Sequence, residues 1–177
     1  MSDLKKNHFE LLGLPIRFAL DIPSLEQNYR KLQTEVHPDR FAAASASERL
    51  QSMQWATQVN EAYQTLRHAA PRARYLLQLR GIDTEEESNT AMPADFLMLQ
   101  MEWREAAEEA FNASDIAVLD ILLKEMRAQG KTLEQSLTNM LDQQQAWEQA
   151  AGVVRKLSFI DKIRSDVEYK ISKLEDE

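Results

Sequence analysis

His37-Pro38-Asp39 places an imidazole and a carboxylate two residues apart on one short connection between two amphipathic segments. Such a pair suits two chemistries: a general base with the acid that orients it, or a polar loop that another protein grips. A catalytic dyad needs a concave, water-excluding pocket with a nucleophile or oxyanion donors nearby, and a helix-loop-helix offers none of these. Docking is therefore the better reading, with catalysis of a covalent step the alternative. Proline sharpens it. Pro38 has no backbone N–H and disfavours helical geometry at the residue before it, so the helix carrying Tyr29, Leu32 and Val36 should stop at or near His37.

A second constellation lies in the other half of the chain. At 100° per residue, Phe96, Leu99, Trp103, Ala106 and Ala110 fall on one side of a helix and should face a core. Met98, Met101, Glu102, Glu105 and Glu109 fall on the opposite side, with Leu97 beside Met101. Burial cannot account for both faces. Further on, Phe159 falls about 120° off the apolar stripe of its own helix. Leu97, Met98, Met101 and Phe159 are thus candidates for an exposed apolar patch rimmed by Glu102, Glu105 and Glu109. Methionine adapts its shape to a partner, and carboxylates beside it select a basic one.

Other chemistries are thinly supplied. The 177 residues contain no cysteine, which excludes disulfides, thiolate catalysis and cysteine-ligated clusters on this chain. Histidines occur only at 8, 37 and 68, without ligand spacing on a common face, so neither a metal nor another cofactor is expected. The net charge of −8 is unevenly spread: residues 1–79 carry +2 and residues 80–177 carry −10. An acidic half argues against nucleic acid as the main partner, because phosphate contacts need clustered Lys and Arg. No apolar run approaches the ~20 residues of a membrane span. The opening MSDLKKNHFELLGL is too short in its apolar part and too acidic for a signal peptide, so the expected location is the cytoplasm.

The elements that must hold these residues are helices. Glycines and prolines are few, and the β-branched runs that mark strands are missing. A short helix over 7–15 should be stopped by Gly13 and Pro15. Ser24-Leu25-Glu26-Gln27 reads as a capping box opening the next helix, whose Leu25, Tyr29, Leu32 and Val36 recur at i, i+4, i+7 and i+11. Ser45-Ala46-Ser47-Glu48 is a second capping box, and Trp55, Val59, Ala62, Tyr63 and Leu66 make the complementary stripe. These two helices should pack antiparallel across the 37–44 loop. Pro71 restarts a short helix that Gly81 closes.

In the second half, the polar stretch IDTEEESNTA reads as a linker. Pro93 suits the first turn of a helix to about Ala113, with Ser114 capping the next. Leu119, Leu123, Met126, Leu133, Leu137 and Leu141 stay in phase across Gly130, which predicts one long helix with Gly130 on the buried stripe allowing close backbone approach. A last helix from about Ala146 to Leu174 presents Val153, Leu157, Ile160, Val167, Ile171 and Leu174. Three helices of this length make an antiparallel bundle.

The order of helices, with YRKLQTEVHPDR followed by QVNEAYQTLRHAAPRARYLL, resembles the J-domain of DnaJ-type co-chaperones. With FELLGLP, FLMLQMEWREAAEEA and VRKLSFIDKIR added, nearly the whole chain resembles the iron-sulfur co-chaperone family HscB. The resemblance implies an all-α fold: a J-domain over 1–79, a linker over 80–92 and a three-helix scaffold-binding domain over 93–177. It implies that His37, Pro38 and Asp39 engage a DnaK-type ATPase chaperone, HscA in this family, and stimulate its ATP hydrolysis. Arg30, Lys31 and Arg40, on or beside the end of the stripe-bearing helix, would meet an acidic surface of that partner. Where general J-domains tend to carry a further basic residue two positions before the histidine, this chain has Glu35, and partner choice should be narrower. Leu97, Met98, Met101, Glu102, Glu105, Glu109 and Phe159 match family positions that bind the iron-sulfur scaffold protein IscU. A J-protein serving general clients is the remaining alternative, but the Gly/Phe-rich region and zinc-binding cysteine repeats of that class are absent.

Overall fold

The computed structural model describes residues 6–36, 44–84 and 92–176. The chain divides into two compact units, Met1–Leu79 and Arg80–Glu177. The first contains α1 (His8–Leu11), α2 (Ile22–Val36), α3 (Ala46–Arg67) and α4 (Ala69–Gln78). The second contains α5 (Ala94–Asn112), α6 (Ile116–Thr138) with a π-helical continuation over Asn139–Gln144, and α7 (Trp147–Glu175). Among the described residues there is no strand, and no helix long and apolar enough to cross a membrane.

In the first unit α3 is the common partner, with α1, α2 and α4 each packed against it. Phe9, Leu12, Phe18, Leu25, Val59, Ala62, Leu66, Ala73 and Leu77 form its buried apolar interior. Each fully buried leucine or phenylalanine among them contributes roughly 1.5–3 kcal/mol relative to exposure. The antiparallel pairing of α2 and α3 is held at two levels. The Tyr29 ring stacks on Tyr63 with centroids 3.9 Å apart, and its hydroxyl donates to Asn60 Oδ1 at 2.7 Å. Towards the end of α2, Val36 meets Ser52, nearer the start of α3.

Helix ends show where local signals hold and where they are overridden. Asn7 and Glu10 form a reciprocal capping box on α1. Gly13, at φ +63°, takes the left-handed turn that closes it, with the Leu14 N–H reaching back to the Phe9 carbonyl. By contrast, α2 does not open at Ser24. It starts at Ile22, directly after Asp21, and the Ser24 hydroxyl donates to the Asp21 carboxylate from inside the first turn. Pro23 explains the shift, because its fixed φ and missing N–H suit a first helical turn, which draws the start of the helix back to include it. At the α3–α4 junction His68 is extended, and buried Arg72 donates from Nη1 to the Leu66 carbonyl at 2.8 Å while its guanidinium lies over Phe18.

His8 fastens α1 to α4: its ring stacks on Tyr75 at 4.2 Å and its backbone N–H donates to the Tyr75 hydroxyl at 3.1 Å. Burial holds its pKa below the usual 6.5, with Glu61 pulling the other way. The folded state therefore binds fewer protons at His8 than the unfolded chain does. The stability this gives is present above pH 6.5 and is lost as pH falls through the unfolded value towards the folded one. An NMR titration should find the His8 imidazole below 6.5, and His8→Phe should make the acid side of the stability profile shallower. An unshifted imidazole would refute this account.

In the second unit the three helices pack on one another. Lys156 Nζ lies over Phe96 at 5.6 Å and Lys170 Nζ bonds Glu108 Oε1 at 2.8 Å, so α5 and α7 run parallel. The Arg127–Glu168 contact, with Gly130 against Leu157, sets α6 antiparallel to α7. Phe96, Trp103, Ala107, Ala110, Leu119, Met126, Ile160, Ile163 and Val167 form the core.

Five expectations for this unit need correction. Pro93 is the N-cap of α5 rather than its first turn. Ser114 does not cap α6, because it is the left-handed residue, φ 53°, that closes α5: its N–H bonds the Phe111 carbonyl and that of Asp115 the Ala110 carbonyl. Asp115 caps α6 instead, accepting from the Val118 N–H. On α5, Gln100 and Ala107 are buried whereas Leu99 and Ala106 are half-buried, and on α7 Val154 replaces Val153 at the core. The helix does run unbroken through Gly130, yet a Cβ there would meet Leu157 Cδ1 at 3.8 Å, an ordinary contact. No unusually close approach depends on that glycine.

Of the stretch expected to be a linker, residues 80–84 belong to the second unit and 85–91 lie outside the described residues. The Arg80 guanidinium stacks on Trp147 at 3.6 Å, and Arg155 Nη1 donates to the carbonyl of buried Thr84 at 2.9 Å.

Candidate docking sites

His37, Pro38, Asp39 and Arg40 lie outside the described residues, but both approaches to them are well defined. On the incoming side Val36 is buried, and its carbonyl accepts from the Ser52 hydroxyl at 2.8 Å. That bond satisfies one of the acceptors a helix C-terminus leaves open, and it ties the last turn of α2 to α3. On the outgoing side Ser45 caps α3, its backbone N–H and hydroxyl donating to Glu48 Oε2 at 2.9 and 2.7 Å. These bonds hold the Glu48 carboxyl below its ordinary pKa. Ser45 was legible from its S-x-x-E spacing. Ser52 was not, although it sits one turn before Trp55 on the apolar stripe. Arg30 and Lys31 stand exposed on α2, as expected, with Arg30 Nη2 3.9 Å from Glu26 Oε2.

On the second unit, Met98 and Met101 are 63% and 68% exposed, unusually high for apolar side chains, one turn apart on α5. Glu102, Glu105 and Glu109 are exposed on the same face and make no ion pair among the described residues. Glu108, by contrast, is engaged by Lys170, which also reaches Asp166 at 3.3 Å. The bond to Glu108, with Asp166 adding to it, raises the Lys170 pKa against the effect of burial. This three-way contact fastens the C-terminal half of α5 to α7.

The apolar patch is narrower than expected. Leu97 is half-buried, and so is Phe159, which packs against the core with Lys162 Nζ 5.8 Å from its ring. A wheel gives an angle on one helix but not which neighbour fills it. Because α5 and α7 run parallel with 96 opposite 156, Phe159 stands level with the Met98–Met101 turn. The arrangement offers two flexible thioethers, a partly open leucine and phenylalanine, and a row of carboxylates. The described residues hold no group of three His, Cys, Asp or Glu side chains that could hold a metal ion.

Known proteins share this architecture. Residues 92–168 match the family described as the HSCB C-terminal oligomerisation domain. The co-chaperone protein HscB homolog of Burkholderia thailandensis is 48% identical over 175 residues, 99% of each chain. Its counterpart in Burkholderia vietnamiensis is 49% identical over the same length. Among solved structures, chaperone HscB from Vibrio cholerae superposes with a TM-score of 0.83 at 40% identity, covering 96% of this chain and 99% of that one. Human co-chaperone HscB gives 0.87 at 29% identity, over 95% and 83%. The all-helical fold, a J-domain followed by a helical bundle, is the fold of these relatives, and with near-half identity running from end to end the chain belongs to the HscB family of iron-sulfur co-chaperones.

Proposed function

We propose that this chain joins a DnaK-type ATPase chaperone, HscA, to the iron-sulfur scaffold protein IscU in the cytoplasm, binding both and carrying out no covalent step itself. The first unit would engage the ATPase through His37, Pro38 and Asp39, with Arg30, Lys31 and Arg40 supplying charge. The second would hold IscU on the α5 face through Leu97, Met98 and Met101, with Phe159 at its edge and Glu102, Glu105 and Glu109 selecting a basic surface. The observation that carries the reading is the exposure of Met98 and Met101 beside three carboxylates with no ion pair among the described residues, on a helix whose opposite face packs into the core. The division of the chain between Leu79 and Arg80 fits it, with one binding function on each unit.

Met98→Ala combined with Met101→Ala should weaken IscU binding by about 1–2 kcal/mol, the scale of interface anchors, and leave the melting temperature close to wild type. Isothermal titration with purified IscU and a thermal melt read the two quantities. Wild-type affinity in the double variant would remove the α5 face from the interface, and a large drop in melting temperature would place those methionines in the core.

A further inference from the structure

Seven methionines are the only sulfur in this chain, which has no cysteine to intercept an oxidant. Their surroundings differ sharply. Met126 is fully buried, Met92 and Met140 are half-buried, and Met53, Met98 and Met101 are 58%, 63% and 68% exposed. Oxidation of a thioether follows access of the oxidant to sulfur and turns a flexible apolar side chain into a polar one. Met98 and Met101 are thus both the most open sulfurs described and neighbours on one face of α5.

We propose that Met98 and Met101 are a reversible oxidation site that switches the α5 docking face off; this rests on the scaffold-binding reading above. The oxidant is a peroxide, ROOH. The thioether sulfur attacks the terminal peroxide oxygen, the O–O bond breaks, an S–O bond forms, and ROH leaves, which is water when the oxidant is hydrogen peroxide. Sulfur is oxidised by two electrons and the peroxide is reduced by two. The product carries a strong dipole with its oxygen negative. On this face that oxygen stands beside Glu102 and Glu105, so oxidation replaces the apolar centre of the patch with polar surface and leaves only its carboxylate rim. Nothing in the fold resists the change, because neither side chain is part of the core. Methionine sulfoxide reductases, one for each epimer, return the thioethers: a dithiol supplies two electrons and two protons and becomes a disulfide, and the sulfoxide oxygen leaves as water.

Hydrogen peroxide treatment of the full chain, followed by peptide mass spectrometry at successive times and titration with IscU, tests the proposal. Met98 and Met101 should convert well before Met126, and converted protein should bind IscU about tenfold or more weakly, as expected from loss of paired anchors. Treatment with the two reductases should restore affinity. For the Met98→Leu/Met101→Leu variant, near volume-conserving, the untreated variant is its own reference, and peroxide treatment should not lower its IscU affinity further. IscU bound beforehand should shield Met98 and Met101 while Met53 still oxidises. The switch is overturned if fully converted protein binds IscU as tightly as untreated protein, if Met98 and Met101 convert no faster than Met126, or if the leucine variant loses affinity equally on treatment. If untreated protein does not bind IscU at all, the docking reading falls, and the switch with it. If IscU binds but shields neither methionine, binding is real but the switch is assigned to the wrong face.

Discussion

His37→Gln should abolish stimulation of the partner ATPase and leave IscU binding at its wild-type level. The separation follows from how the loop is anchored. Its two ends are fixed by groups other than the histidine: the Val36 carbonyl on Ser52 before it, and the Ser45–Glu48 capping box after it. Both anchors are made by other residues, so replacing the imidazole with an amide removes a titratable ring and leaves the groups that form them unchanged. With IscU held on the other unit, as proposed, its binding should not sense the change. Steady-state ATP hydrolysis by HscA, with circular dichroism matched to wild type, is the measurement. Stimulation retained at the wild-type level by a folded variant would show that the loop is not the docking element.

Trp103→Ala has the opposite signature. Trp103 lies in the core of the second unit with Phe96, Leu122, Met126, Ile163 and Val167, on the side of α5 turned away from Met98 and Met101. Truncating an aromatic side chain in such surroundings removes its transfer free energy and leaves a void that three packed helices close only in part. The cost should be on the order of 3–5 kcal/mol of folding free energy. Denaturant unfolding of wild type and variant would read this directly, and the J-domain loop, in the other unit, should still stimulate the ATPase while any folded variant remains. A loss below about 1 kcal/mol would mean that the α5 face is assigned the wrong way round.

What was legible in the sequence was whatever is decided within a turn or two of helix. The Ser45 capping box could be read because its two partners are three residues apart. The conflict between the two faces of α5 could be read because period alone sets it. Where a second local signal competed, reading one of them failed. Ser24 lost to Asp21 and Pro23, and Ser114 was taken by the closure of α5 before it could open α6. Where a residue's role is set by a partner distant in sequence, there was no signal to read. Arg72 looks like a surface residue until the Leu66 carbonyl and the Phe18 ring are set beside it, and Ser52 looks idle until α2 ends on it. Phe159 was found as an outlier from its stripe, but only the parallel course of α5 and α7 shows how much of it is covered. The candidate site followed the same rule: its α5 part is a matter of helical phase, and the half-burial of Leu97 and Phe159 is a matter of neighbours.

Residues 80–84 give the second bundle a natural point of excision, and it is not where the regular helix begins. A segment cut at Pro93 would shed the guanidinium that covers Trp147 and the Thr84 carbonyl that occupies Arg155, leaving an indole face and a half-buried cation to water. Cut at Arg80, the same bundle keeps both. In a gene fusion or a shuffled ancestor, the portable cassette is therefore the longer one, and its first residue is a cation rather than a helix cap.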